Sequence, residues 1–497
     1  AAIVPSTVAA SDAETAILSV LAHACDRIGP RSSRAVGSSR VPRTTSSFPR
    51  RRFLQGATAL LVLPAAAHAA RDEPSWLWSG AVTATSATVV VGFPARPATP
   101  MPLLVSTARD LSNARAVEGH ATAAPSRRRA DRTVVEFHLD GLAPATEYFV
   151  GFQEHSGTRG RFRTFGRGPF SFTVAFASCA GGTRVVPMSH VSNSRVFDAI
   201  ASLDPHVFIH MGDLHYYNIT GAPRPLAPMT ARFRRSLDRV LSQEHQALFY
   251  RRTPIVYMWD DHDYGRDNSD ARSPTRDAAR AYYAVDVPHY PLPLGANADG
   301  PISQVFDIGR VRVLVTDPRS ERVPGERTML GQAQFAWMLA ELERAARDGT
   351  PLVAWVNPVP WITTDTDPEG WGPFAAERQA LGDRIRTLGL GSRLVMLSGD
   401  AHMLAFDDGR NNAHGGFVVA QAAPLDRFLR RKGGPYSHDP AKQYNGQFAT
   451  LQVEDTGTTL TATLQGYRHD AGHAVPVAET RLRLRCTGGV CALVPGD

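Results

Sequence analysis

The sequence predicts an α/β catalytic body preceded by a small all-β sandwich. Three observations lead there. From about Trp76 to Phe165 the chain holds short alternating apolar segments with turn signals and no helical period. After Gly166-Arg167-Gly168-Pro169, which reads as a linker, continuous apolar runs of strand length alternate with helical-period segments such as GQAQFAWMLAELERAARDG and FAAERQALGDRIRTLG. Residues able to do chemistry then stand directly after the apolar runs, not within them.

Taken in chain order, residues 1–49 are rich in Ser, Arg and Ala, with no methionine before Met101, and read as a disordered extension upstream of the true start. Residues 50–69 hold Arg51-Arg52-Phe53-Leu54, an apolar stretch broken by Pro64, and the small-x-small pattern Ala67-His68-Ala69. That stretch is shorter than the roughly 20 apolar residues of a spanning helix. It resembles a twin-arginine signal peptide, which implies export by the twin-arginine machinery to the periplasm or the medium. No later segment reads as transmembrane. The net charge of +7 belongs largely to this leader, since residues 1–70 carry 8 Arg against 3 acidic residues. The nearly neutral remainder offers no footprint for nucleic-acid scaffold binding. Residues 71–166 form the predicted sandwich, in which Leu142 to Tyr148 has the spacing of a tyrosine corner and resembles fibronectin type III-like domains. Residues 170–497 form the predicted catalytic domain, and the strand-like segments past Gly415 extend its sheets.

The apolar runs of this domain end in Ser178-Cys179, in Gly212-Asp213-Leu214-His215-Tyr216 and in Trp259-Asp260-Asp261-His262-Asp263. Further along come Asp317-Pro318-Arg319, Asn357-Pro358-Val359-Pro360-Trp361 and Ser398-Gly399-Asp400-Ala401-His402. In open α/β sheets functional groups gather outside the carboxyl ends of the strands. Each residue alone has a plainer reading: Cys179 as a small buried apolar side chain, Tyr216 as a packed aromatic, Asn357 as a turn residue before Pro358. Six such ends together point to metal chemistry. Cys179, Asp213, Tyr216 and His402 make a donor set with three anions, suited to ferric iron. Asp261, Asn357 and Asp400 are oxygen donors, suited to calcium, magnesium or manganese. Asp213 is the natural bridge. Paired metals recur in displacement at phosphorus.

The ordered set SC, GDxxY, WDDHD, DxR, NxxxW and GDxH resembles the alkaline phosphatase D family of metallophosphoesterases, related to the purple acid phosphatases. The resemblance implies a four-layer αββα metallophosphatase sandwich and phosphomonoesterase or phosphodiesterase activity. It also implies that Asp213 bridges two metals, that Tyr216, Cys179 and His402 hold the iron, and that Asp261 and His262 match the superfamily's Asn-His pair. Asp400 stands where that superfamily usually has His, and Asp267 departs from the family's pattern. The expected reaction is metal-assisted hydrolysis of a phosphate ester. His262 is expected to stabilise the transition state or protonate the leaving alkoxide, Arg319 to clamp phosphoryl oxygens or to form a structural salt bridge, and Arg184 to touch the substrate from the loop after Cys179.

A rival reading makes the chain an exported binding or adhesion protein with an inactive metallophosphatase domain; the retained ligand residues argue against it. A serine esterase would need a G-x-S-x-G elbow after a strand, and none is present. Four cysteines exclude a disulfide-dense scaffold. Cys25 precedes the expected cleavage site and Cys179 is assigned to metal, which leaves Cys486 and Cys491 to form a disulfide across Thr487-Gly488-Gly489-Val490.

Overall fold

The computed structural model describes residues 73–94, 97, 101–122, 132–153, 155–182, 190–221, 225–295 and 297–494. The expected extension (1–49), the signal peptide (50–69) and Arg184 lie outside the described residues. The alternating segments before the linker form β1 (Trp76–Gly80), β2 (Ala87–Phe93), β3 (Leu103–Ser106) and β4 (Arg115–Val117). They continue as β5 (His120–Thr122), β6 (Thr133–Leu139), β7 (Glu147–Phe152) and β8 (His155–Arg163). The apolar runs that follow become β9 (Phe172–Ala177), β10 (Val207–Met211), β11 (Ile255–Met258), β12 (Gln304–Ile308) and β13 (Val311–Val315). Next come β14 (Leu352–Asn357), β15 (Leu394–Ser398), β16 (Leu404–Asp407) and β17 (Val418–Ala422). The C-terminal strands are β18 (Gln447–Asp455), β19 (Thr459–Asp470), β20 (His473–Thr487) and β21 (Val490–Leu493).

These strands build a mixed α/β structure with three sheets. An eleven-stranded sheet runs β21-β20-β19-β18-β9-β10-β11-β1-β2-β6-β5, a six-stranded sheet runs β12-β13-β14-β15-β17-β16, and a four-stranded sheet runs β4-β3-β7-β8. The parallel neighbours β9, β10 and β11 stand at the centre of the first sheet, and β13, β14, β15 and β17 at the centre of the second. Strands β10, β11, β14, β15 and β17 are buried along their whole length, which explains their continuous apolar text: both faces are covered.

Alternation within the six-stranded sheet divides the core. Val313, Val315, Ala354, Val356, Val395 and Leu397 pack with the eleven-stranded sheet. Their neighbours Leu314, Val353, Trp355, Leu394 and Met396 pack into a second core on the opposite face. Period-2 side chains thus serve two cores from one sheet. Helices α1 (Val196–Ser202), α2 (Leu226–Leu241) and α3 (Glu244–Tyr250) contribute to the first core, the short α4 (Asp261–Tyr264) opens the WDDHD loop, and α5 (Arg276–Asp286) packs on α2. Helix α6 (Gly331–Arg347) buries Gln334, Met338, Glu341, Leu342 and Ala345, a stripe at helical spacing, and α7 (Ala375–Thr387) contributes Leu381 and Ile385 to the same core.

All described residues fall within one compact unit, Val62–Asp497. At the predicted tyrosine corner, the Ala143 N–H donates to the Tyr148 hydroxyl at 2.8 Å. Cys486 and Cys491 form a disulfide on the β20–β21 hairpin. Among the described residues no helix is long and apolar enough to cross a membrane.

Candidate metal centre

The parallel strands deliver their carboxyl ends to one place. Cys179 lies two residues past β9, Asp213 two past β10, Asp260 and Asp261 just past β11, and Asp400 two past β15. At these ends the backbone leaves strand geometry abruptly. Cys179, Asp213, Asp400 and His402 have φ of 64°, 55°, 61° and 51°, a left-handed conformation that non-glycine residues adopt at a cost of about 1 kcal/mol or more each. Such strain persists where the surroundings over-determine it. Gly212 is required for a different reason: with φ at 86°, a Cβ there would run into the backbone of Asp260, so only glycine lets the two acidic loops approach.

Three groups of donors result, and Asp213 belongs to all of them. They are Cys179 with Asp213 and His402, Asp213 with Asp261 and His262, and Asp213 with Asp260 and Asp400; within each group the donor atoms lie within 4.8 Å of one another. The Cys179 sulfur is 3.7 Å from Asp213 Oδ2, and the Tyr216 hydroxyl is 3.3 Å from His402 Nε2. All these side chains except His262 are buried; His262 keeps 18 % of its side chain exposed. Its Nδ1 meets Asn218 Oδ1 at 2.5 Å, its Nε2 lies 3.5 Å from Asp267, and its backbone N–H donates to Asp213 Oδ1 at 3.2 Å.

Two cations balance part of the acidity. Arg319 is fully buried and donates from Nε to Asp260, with Nη2 4.0 Å from Asp261. Its Nε contact is therefore with the acidic loop, the structural salt bridge that the sequence left open beside a phosphoryl clamp, while Nη1 and Nη2 are buried without a hydrogen-bond partner. Lys432, one of two lysines in the sequence, donates to Asp400 Oδ1 at 2.9 Å and is also paired with Glu369. Asp263 organises the remaining backbone, accepting from Asp260 N at 2.7 Å, Leu214 N at 2.9 Å and the Tyr257 hydroxyl at 2.6 Å.

Four carboxylates, Asp213, Asp260, Asp261 and Asp400, thus face two cations. Burial, reinforced by the neighbouring carboxylates, pushes the Asp213 carboxyl well above its usual range. Burial also raises the Cys179 thiol and the Tyr216 phenol, with Asp213 adding to both. Burial opposes ionisation of Asp261 and Asp400 too, but Arg319 holds the first below the usual carboxylate range and Lys432 does the same for the second. Asp260 Oδ2, Asp261 Oδ1, Asp400 Oδ2, His402 Nδ1 and Asn357 Oδ1 are buried without a hydrogen-bond partner. Buried acceptors of this kind, in surplus over the protein's own cations, fit bound metal ions, which would reverse the upward shifts of Asp213, Cys179 and Tyr216 and deepen the downward ones of Asp261 and Asp400. Asn357 ends β14, fully buried, with Nδ2 donating to Val359 O at 2.6 Å.

Sequence reasoning did not single out Asp260, Asp263, Lys432 or Arg427. Both Asp260 and Asp263 belong to the WDDHD motif, and the capping box between them, with Asp260 as N-cap and Asp263 three residues on, is seen only in the fold. Arg427 and Lys432 follow no strand-end motif.

The comparisons with known proteins agree with this geometry. Among curated proteins nothing matches the chain. A solved structure described as "Structure of PhoD" is similar with a TM-score of 0.61 at 16 % identity, over 85 % of this chain and 92 % of that one, a likeness that shows the fold. A Paenibacillus sp. cycloisomaltooligosaccharide glucanotransferase in complex with cycloisomaltoheptaose reaches a TM-score of 0.18 at 9 % identity, over 85 % of this chain and 69 % of that one. A cyclomaltodextrinase reaches 0.16 at 10 % identity, over 84 % and 97 %. Similarities that low carry no argument. Residues 174–424, just over half of the chain, match the PhoD-like phosphatase family, and they begin in β9 and end just past β17, spanning every donor group around Asp213: the chain belongs to the PhoD-like phosphatases.

Proposed function

We propose that this protein is a metal-dependent phosphoric ester hydrolase acting on phosphomonoesters, phosphodiesters or both. One observation carries the reading: Asp213 is shared by three groups of donors, all buried except His262, at the carboxyl ends of parallel strands. Ferric iron is assigned to Cys179, Asp213, Tyr216 and His402. Calcium, or magnesium or manganese, is assigned to Asp213, Asp261, Asn357 and Asp400. When bound, such cations supply charge neutralisation at the phosphoryl oxygens and lower the pKa of water toward neutrality. The protein's own residues do the rest. Arg319 and Lys432 hold Asp260, Asp261 and Asp400 in place. His262, fixed by Asn218 and partly exposed, is the group that delivers a proton to the leaving alkoxide.

The finer architecture belongs to the same proposal: an αββα four-layer sandwich, supported by the division of the six-stranded sheet between two cores, and a fibronectin type III-like segment, supported by the Tyr148 contact. Export through the twin-arginine route to the periplasm or medium is proposed from the leader residues alone. The test of the catalytic reading uses one metal-replete preparation. Iron and a second cation should be present by elemental analysis, and an aryl phosphate monoester or diester should be hydrolysed in a chelator-sensitive manner. A metal-replete protein that turns over neither ester would refute the proposal.

A further inference from the structure

We propose that the segment Asp426–Lys432 is the specificity wall of this site, with Phe428 stacking the organic group of an aromatic phosphate ester and Arg427 facing its anionic end. The inference deepens the phosphoester reading and rests on it.

The segment is tied at both ends to donor loops. Leu425 N–H donates to Ser178 O at 2.9 Å and Asp426 N–H to Cys179 O at 3.1 Å. The Asp426 carboxylate accepts from the Ser192 hydroxyl at 2.8 Å. At the far side, Arg430 N–H donates to His402 O at 3.2 Å and Lys432 pairs with Asp400. The chain therefore bridges from the first donor loop to the last, and its middle residues stand beside the centre. The Phe428 ring meets His402 edge-on at 5.0 Å between centroids. The Arg427 guanidinium lies 3.9 Å over the Tyr216 ring and 5.1 Å from Phe428.

The exposure of this segment asks for an explanation. Among the described residues the exposed large apolar side chains are Leu248, Phe428, Leu429, Val490 and Leu493, and two of these five are neighbours here. A ring whose purpose was to cover His402 would be buried by what surrounds it; Phe428 leaves 50 % of its surface open. The charges divide in the same sense. Arg430, Arg431 and Lys432 are paired with Glu369, Asp439 and Asp400. Arg427 instead has aromatic rings as neighbours, and its buried Nε lacks a hydrogen-bond partner. An apolar platform beside an arginine, both against candidate metal ligands, matches a ligand with a flat apolar group joined to a phosphoryl anion.

The test compares phenylphosphonate with methylphosphonate, whose binding to the metal-replete protein can be read calorimetrically without turnover. Phenylphosphonate should bind about tenfold more tightly, as expected for one well-stacked ring. Phe428→Ala should erase that preference, and Phe428→Tyr should retain it. Phe428→Leu, which keeps apolar bulk against His402, should also lose it and decides the matter if the alanine variant fails to fold. Equal binding of the two phosphonates by the parent protein, no binding of either, or a preference that survives loss of the ring would overturn the inference. A clear phenyl preference in a protein that hydrolyses no phosphate ester would instead overturn the catalytic reading and leave the subsite standing.

Discussion

Asp213 presents its two oxygens to different neighbours: Oδ1 accepts the His262 backbone N–H, and Oδ2 faces the Cys179 sulfur. A side chain placed in this way can serve two ions, so its loss should be felt by both. Asp213→Asn keeps the shape and removes the shared anion; both metals should fall in elemental analysis, and activity should drop by more than the roughly 10–100-fold typical of outer-shell changes. Retention of one metal at full stoichiometry would show that Asp213 does not bridge. His262 offers the contrast. Its ring is held by Asn218 and reaches the surface, so His262→Ala should slow turnover by about 10²–10⁴-fold while metal content stays intact. Metal loss in that variant would reassign His262 as a ligand, a role its place beside Asp213 and Asp261 also permits. For Tyr216, phenolate ligation of ferric iron predicts a visible charge-transfer band that Tyr216→Phe shifts or abolishes. A colourless, active protein holding zinc alone would reject iron.

Among the elements, β10 shows how burial sets a pH limit. His210 sits within this wholly buried strand, and burial holds its pKa down to about 3; burial likewise holds His206, just before the strand, at about 4. In the unfolded chain both titrate near 6.5. Between these values the unfolded state binds protons that the folded state refuses, so stability present above about pH 6.5 is lost as pH falls toward 3. Thermal midpoints measured from pH 7 down to 4 should decline, and His210→Phe should flatten the decline by removing one such group from between the Phe208 and Tyr257 rings. Identical slopes for parent and variant would contradict this account. The same strands explain what could be read from the text. Cys179, Asp213, Asp261, Asp400 and His402 are legible because each follows an apolar run, and parallel strands of the two sheets, β9, β10 and β11 in one and β15 in the other, bring such ends together. Asp260 and Asp263 were visible as acids, but the pairing of one with Arg319 and the capping by the other depend on contacts across the fold. Arg427, Phe428 and Lys432 carry no motif of their own; hydrogen bonds from Leu425, Asp426 and Arg430 to Ser178, Cys179 and His402 bring their segment to the centre, the first two partners roughly 250 residues away, a proximity that no local pattern encodes.

For the whole molecule, the change of texture at residues 166–170 is not matched by a gap in packing. Strand β1 pairs in parallel with β11 through Gly80 and Ile255, so the eleven-stranded sheet runs from the C-terminal hairpin into the N-terminal strands. The core follows the sheet. Trp76 donates to Asp238 of α2 at 2.9 Å, Trp78 packs edge-on against Tyr250 at 6.2 Å, and the Tyr290 hydroxyl donates to Val82 O at 2.6 Å. Arg161 N–H adds a backbone bond to Arg251 O at 2.8 Å. A junction so densely joined should not open before the rest, and the described body should unfold in a single calorimetric transition. Gly80 is the place to test this, because a Cβ there would sit 2.6 Å from Ile255 O and 2.7 Å from Pro288 O. Gly80→Ala should therefore wedge β1 from β11 and destabilise by about 1–3 kcal/mol, the usual cost of overpacking. The expected signature is one transition displaced to lower temperature, with tryptophan fluorescence, to which Trp76 and Trp78 contribute two of seven indoles, showing the same midpoint as the heat capacity does for the whole. Two separated transitions, with the tryptophans following the earlier one, would mean that the sandwich strands are a detachable module and that the shared sheet is a contact surface rather than a common core.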